Sequence, residues 1–139
     1  LHAAVLAPTA ANRQPFRIYV IETEKYKDEL RKLYSREWFV QAPLVVGIAT
    51  VAEEAWTRSD GKNYAEVDAT IAMDHLILQA ADLGIGTCWI AAFAPEIARN
   101  LLKLPPGYEP IAFTPLGYPD DGAREKKRKA VADVVVFVN

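Results

Sequence analysis

Cysteine occurs once in the 139 residues, at Cys88, so no disulfide can close within the chain. Stabilisation by oxidised cysteines is excluded, and a reducing, cytoplasmic setting is the expectation. Histidine is almost as scarce. His2 and His75 are not spaced for a metal, and no Cys/His/Asp/Glu group carries ligand spacing, so a metal centre is not expected. Apolar runs are short. None approaches the ~18 residues a spanning helix needs, and no signal-peptide pattern is present, which argues against a membrane role. An excess of positive charge is also lacking: the formal net charge is -2, a poor basis for binding phosphate backbones and hence nucleic acid. Ser35 and Ser59 have no G-x-S-x-G context, so hydrolase chemistry has no support. Repeats, low-complexity tracts and linkers are absent, and residues 1–139 read as a single domain.

What remains is an ordinary globular composition, 51% hydrophobic and 24% charged, long enough to bury a core. The stretch from Asn63 to Phe93 organises it. Asn63 can cap a helix, and Glu66 three residues on can complete a capping box. Gly84 stands where such a helix stops, because glycine takes the left-handed C′ conformation at little cost. Ala65, Val67, Ala69, Ile71, Ala72, Met73, Leu76, Ile77, Leu78, Ala80, Ala81 and Leu83 leave only the strip Glu66, Thr70 and Asp74 polar. A surface helix has a wider polar face. Burial on several sides is expected, with a second subunit among the candidate neighbours. His75 reads as a hydrogen-bonded buried or interface residue. The run Cys88–Phe93 reads as a buried strand and Cys88 as an inert buried thiol.

The rest of the chain divides at its prolines. Leu1–Leu6 reads as the end of a helix, and the stretch from Pro8 to Phe16 as a turn-rich connection. Arg17–Glu22 alternates as a strand, Lys25–Leu33 is a charged helix, and Leu44–Val51 is a strand covered on both faces. Ala52–Asn63 is expected to be a mobile surface segment near a site entrance. Trp38, Trp56 and Trp89 read as core or interface anchors, with lining of that opening the alternative for Trp56. Glu96–Leu104 is a helix stopped by Pro105-Pro106-Gly107, and Ile111–Leu116 and Val134–Phe137 are two further strands. Gly117–Gly122 is a loop and Arg124–Lys129 a basic run. Strands interleaved with helices suggest a doubly wound parallel sheet. Against it, no G-x-G-x-x-G follows a strand, and the one G-x-G, at Gly84 and Gly86, follows a helix.

Three constellations can carry chemistry. Asn12 and Gln14, between Pro8 and Pro15, offer amide donors and acceptors that match the edge of a planar heterocycle; an Asx turn is the competing reading. Ala91 and Ala92 let main-chain N–H groups approach a ring system closely, or belong simply to a buried strand. Lys126 and Arg128, alternate cations before the last strand, can hold a phosphate, or form solvated surface.

Together, APTAANRQPFR, NYAEVDATIAMDHLILQAADLGIGTCWIAAF, LPPG, TPLGYP and KKRK closely resemble the nitroreductase family of FMN-dependent oxidoreductases, in order and over nearly the whole chain. The resemblance implies an α+β sandwich around a mostly antiparallel sheet, in an intertwined homodimer with FMN at the interface. It places Pro8, Thr9, Ala10, Asn12 and Gln14 beside the flavin, with Thr9 for the usual serine. Ile90, Ala91 and Ala92 match the segment whose backbone faces the redox edge, and Lys126 and Arg128 match the pair that holds the FMN phosphate. Three departures stand out. The chain starts after the family's R-x-S-x-R phosphate motif, Ala91 replaces an acidic residue found in some members, and Phe16 takes a tryptophan position. The implied activity moves hydride from NAD(P)H through FMN to a flat, electron-poor small molecule such as a nitroaromatic or quinone, with ping-pong kinetics. The flavin would carry the chemistry, so no catalytic side chain is expected. The alternative is a flavin-binding carrier or sensor without efficient turnover.

Overall fold

In the computed structural model, residues 1–120, 122 and 125–138 are described. Four strands form one sheet: β1 (Phe16–Glu22), β2 (Leu44–Val51), β3 (Gly86–Thr87) and β4 (Tyr108–Gly117). Their order is β1-β2-β4-β3 and every pairing is antiparallel. Among the helices, α1 (His2–Val5) and α3 (Ala65–Asp82) pack together, as do α2 (Lys27–Leu33) and α4 (Pro95–Leu102).

The side-chain alternation of β2 explains the layering. Val45 joins a core with Leu30, Leu33, Phe39, Ala98 and Phe113, under α2 and α4. Val46 and Ile48 point the other way, into a core with Ala4, Ala69, Ala72, Met73 and Leu76 from α1 and α3. An antiparallel strand usually has one wet face, but β2 lies centrally between two helical layers and is buried from Val45 to Val51. Gly47 belongs to this packing. A Cβ there would lie 2.6 Å from Cε1 of Phe113.

The long helix ends as its glycine requires. Gly84 has φ 71°, its N–H donates to the Ala81 carbonyl, and the Ile85 N–H donates to that of Ala80, a Schellman closure. At the other end the Ala65 N–H donates to Asn63 Oδ1 at 2.9 Å. The reciprocal bond expected from Glu66 is not made among the described residues.

Four expectations are corrected. The helix expected over Lys25–Leu33 begins at Lys27, after a tight turn over Thr23–Lys25. Val134–Phe137 is not a strand: a short turn over Val131–Asp133 precedes it, and Val136 and Phe137 stand exposed. Among the described residues no strand pairs with that segment, and the Val134 and Val135 N–H groups donate to the Val131 carbonyl instead. The buried strand expected over Cys88–Phe93 is reduced to β3 just before it and an isolated bridge between Ile90 and Phe113. Cys88 is consequently an exposed thiol rather than a buried one. The burial on several sides expected for α3, with a second subunit among the candidate neighbours, leaves Leu78 and Leu83 each 62% exposed in one chain, because the sheet covers only one side of the helix.

Candidate functional site

The loop between α1 and β1 is the most tightly specified irregular segment in the molecule. Ala11, Asn12 and Gln14 have φ of 52°, 54° and 51°. Side chains disfavour this left-handed region, at about 1 kcal/mol or more per residue, so surrounding bonds must hold it. They are present. Asn12 N–H donates to the Thr9 carbonyl at 3.0 Å, and Phe16 N–H to that of Gln14 at 2.8 Å. Gln14 N–H donates to Thr9 Oγ1 at 3.1 Å, and Ala10 N–H to Asp68 Oδ1 of α3 at 2.9 Å. Arg13 Nη1 reaches the Ala55 carbonyl. Gln14 Nε2 donates to the carbonyl and Oδ1 of Asn12 at 3.2 and 3.3 Å. The two amides therefore pair with each other, and the Asx turn considered for Asn12 is not what shapes the loop. Asn12 and Gln14 are exposed, while Thr9 and Ala10 are half-buried.

The Ile90–Ala92 segment is anchored by one residue. Ile90 is buried and exchanges two backbone bonds with Phe113, each 2.9 Å. Cys88 N–H is held by Thr114 Oγ1 at 3.0 Å. Ala91 and Ala92 then emerge exposed, and their N–H groups find no partner among the described residues. Register fixes where they point. Ile90 lies antiparallel to Phe113, so Ala91 and Ala92 run toward the sheet end that carries Phe16, Thr50 and Glu109. The Thr9–Gln14 loop enters the sheet at that same end. In the strand order β1, which the loop leads into, and the Ile90 bridge lie on opposite sides of β2 and β4.

Lys126 and Arg128 lie on the extended segment beyond β4, exposed. Arg128 Nη1 bonds only to the neighbouring Lys127 carbonyl, at 2.9 Å, among the described residues. The first residue of the expected basic run, Arg124, lies outside those residues. One chain therefore directs the loop and the Ala91–Ala92 segment to one end of the sheet, and no hydrogen bond ties the two cations to either among the described residues.

The segment over residues 52–63 is more ordered in its bonding than its composition suggests. Thr57 and Asn63 form a bridge, Arg58 N–H donates to the Lys62 carbonyl, and Tyr64 N–H to that of Trp56. Trp56 packs edge-on against Tyr64, with ring centroids 5.2 Å apart. The Arg58 guanidinium, 2.6 Å from Asp60, holds that carboxyl below the usual carboxylate range. Through Arg13 and Ala55 this closed hairpin is joined to the Thr9–Gln14 loop.

Asp68 and Arg13 are the participants that sequence reasoning missed. Asp68 falls in an apolar helix beside a regular polar strip. Its one distinguishing signal was that it lies outside that strip.

Comparison with known proteins agrees with this architecture. The model of the nitroreductase family matches residues 25–118. A nitroreductase family protein from Clostridium difficile 630 has a crystal structure that superimposes with a TM-score of 0.88 at 32% identity, covering 98% of this chain and 81% of that one. An FMN-dependent nitroreductase from Clostridium difficile R20291 gives a TM-score of 0.75 at 28% identity, over 99% and 83% of the two chains. An NADH dehydrogenase of Thermus thermophilus is 26% identical over 168 aligned positions, spanning 99% of this chain and 82% of the relative. The chain belongs to the nitroreductase family of FMN-dependent oxidoreductases, and its fold is the α+β sandwich of that family. The matched residues include Ile90, Ala91 and Ala92. The Pro8–Gln14 loop and the Lys126–Arg128 pair lie outside them.

Proposed function

We propose that this chain, as a homodimer holding FMN, oxidises NAD(P)H and reduces a flat, electron-poor small molecule such as a nitroaromatic or quinone. The observation that carries the reading is the Thr9–Gln14 loop. Three side-chain-bearing residues are held in a disfavoured conformation by five surrounding bonds, and the products of that strain are two exposed amides at the sheet end where Ala91 and Ala92 emerge. Strain of this kind gathers where a ligand must be met by a rigid surface.

The donor set fits the cofactor. The Asn12 and Gln14 amides supply donors and acceptors for the edge of a planar heterocycle, with Pro8, Thr9 and Ala10 shaping the wall beside it. The N–H groups of Ala91 and Ala92, anchored by buried Ile90, can bond a ring nitrogen, and their methyl side chains leave its face open. Lys126 and Arg128 suit a phosphate, the lysine as a point charge and the arginine by its fork. FMN, when bound there, supplies the hydride chemistry between donor and acceptor. The chain's own task is to orient the ring, hold the phosphate and leave one face open to NAD(P)H and then to the acceptor, which gives ping-pong kinetics.

A second copy accounts for what one chain leaves apart. The loop leads into β1 and Ala91 follows the bridge to β4, on opposite sides of the strand order, and no hydrogen bond ties Lys126 or Arg128 to either among the described residues. The same pairing would cover Leu6, Leu78, Leu83 and Phe137, each more than 60% exposed, a larger apolar display than a monomer usually keeps. Anaerobic mixing of the purified protein with NADH is expected to bleach its yellow absorbance. A yellow protein that does not bleach would favour a flavin carrier or sensor. A colourless protein that cannot be reconstituted with FMN would contradict both.

A further inference from the structure

The geometry points to Asp68, in the first turn of α3, as a positioning residue that holds the Thr9–Gln14 loop in its flavin-facing shape. The inference rests on the reading of that loop given above and adds the residue that sets its conformation.

Asp68 is 2% exposed. A carboxylate is costly to bury unless its oxygens are satisfied. Here Oδ1 accepts the Ala10 N–H at 2.9 Å, while Oδ2 is buried with no hydrogen-bond partner among the described residues. Among the described residues no side chain of α3 hydrogen-bonds it. The neighbouring positions Ala65, Ala69 and Ala72 are buried alanines. The carboxylate's one described bond goes 58 positions away in sequence, to the residue immediately before the positive-φ run.

That bond is placed to govern the run. Ala10 supplies the carbonyl that accepts the Arg13 N–H at 3.3 Å, and Thr9 the carbonyl that accepts the Asn12 N–H. Fixing the Ala10 amide therefore fixes the plane from which Ala11, Asn12 and Gln14 turn left-handed. The loop's other closures, through Thr9 Oγ1 and the Asn12–Gln14 amide pair, are internal to it. Arg13 ties it to Ala55 from an exposed position, whereas Asp68 ties it to the buried helix. Without the carboxylate the Ala10 N–H loses its acceptor, and the strained residues are free to relax toward ordinary φ.

The test compares Asp68→Ala with Asp68→Asn, which keeps an oxygen able to accept from Ala10. FMN affinity is read by quenching of flavin fluorescence, well below each protein's melting temperature, so that only folded protein is compared. Asp68→Ala is expected to raise the FMN Kd roughly tenfold or more, with faster amide exchange across residues 10–14 in the apo protein, and Asp68→Asn to stay within about threefold of wild type. Asp68→Ala binding within that same threefold range would overturn the assignment, as would Asp68→Asn binding as weakly as Asp68→Ala. If Asp68→Ala does not fold, Asp68→Ser, too short to reach Ala10, takes its place under the same limits. The unmodified apo protein gives an independent arm. The Ala10 amide should exchange as slowly as those of α3, and exchange as fast as an open loop would contradict the bond. Wild-type protein that binds no FMN would instead defeat the flavin reading of the loop, leaving the exchange result at Ala10 to judge the tether alone.

Discussion

Asn12 and Gln14 illustrate how little a pair of residue types says until the backbone between them is known. Their spacing matched both a ligand edge and a self-contained turn. The Gln14 N–H that an Asx turn at Asn12 would use goes to Thr9 Oγ1 instead, so that turn does not form, and no pattern of small and polar residues announces the left-handed φ of Ala11, Asn12 and Gln14. Asn12→Ala is expected to weaken FMN binding or shift the flavin absorbance while leaving the fold intact and lowering stability by about 1 kcal/mol, because alanine tolerates the left-handed φ at that position less well than asparagine. Fluorescence titration and thermal melts check this together. The double change Lys126→Ala with Arg128→Ala should raise the FMN Kd by roughly one to two powers of ten, charge-assisted bonds being worth about 1.5–3 kcal/mol before solvent exposure discounts them. If both proteins retain FMN as wild type does, the residues assigned to the site are wrong. Cys88 carries a related lesson. Its apolar neighbours implied burial, but Trp89, Ala91 and Ala92 emerge at a surface, and apolar surface is what an interface between chains requires.

At the level of elements, legibility followed the source of each element's hydrogen bonds. Leu44–Val51 was readable to the residue because a short run rich in β-branched residues just after a proline favours a strand buried from both sides, and β2 has those bounds. The long helix was readable from its cap and its glycine, both of which act within a few residues. Val134–Phe137 was not, although its composition favours a strand: a strand needs a partner edge, and among the described residues this segment pairs with none. Likewise β3 is two residues long and exists because Gly86 and Thr87 meet Gly117 and Leu116, a pairing with no local signature. Gly47 shows the converse, a tertiary reason behind a residue that weakens strands in isolation. Gly47→Ala should cost about 1–3 kcal/mol in chemical denaturation, because the new methyl group must displace Phe113, which is wedged edge-on against Phe93. A cost below 0.5 kcal/mol would mean that the two helical layers are not packed as tightly across β2 as described.

For the whole molecule, the sheet and its two helical layers satisfy one chain's core while leaving the candidate site in pieces. The strained loop and the Ala91–Ala92 segment share an end of the sheet, no hydrogen bond ties the cations to either among the described residues, and apolar side chains of α1, α3 and the terminal segment face outward. Among the described residues no helix is long and apolar enough to cross a membrane, so a lipid-spanning helix does not account for that display. Two copies closing around two FMN molecules would account for it. Sedimentation equilibrium of the FMN-loaded protein, followed at the flavin's visible absorbance, tests this most directly. The account predicts that all bound flavin sediments at twice the chain mass with one FMN per chain. Flavin sedimenting with a single chain, or a dimer that carries none, would contradict it.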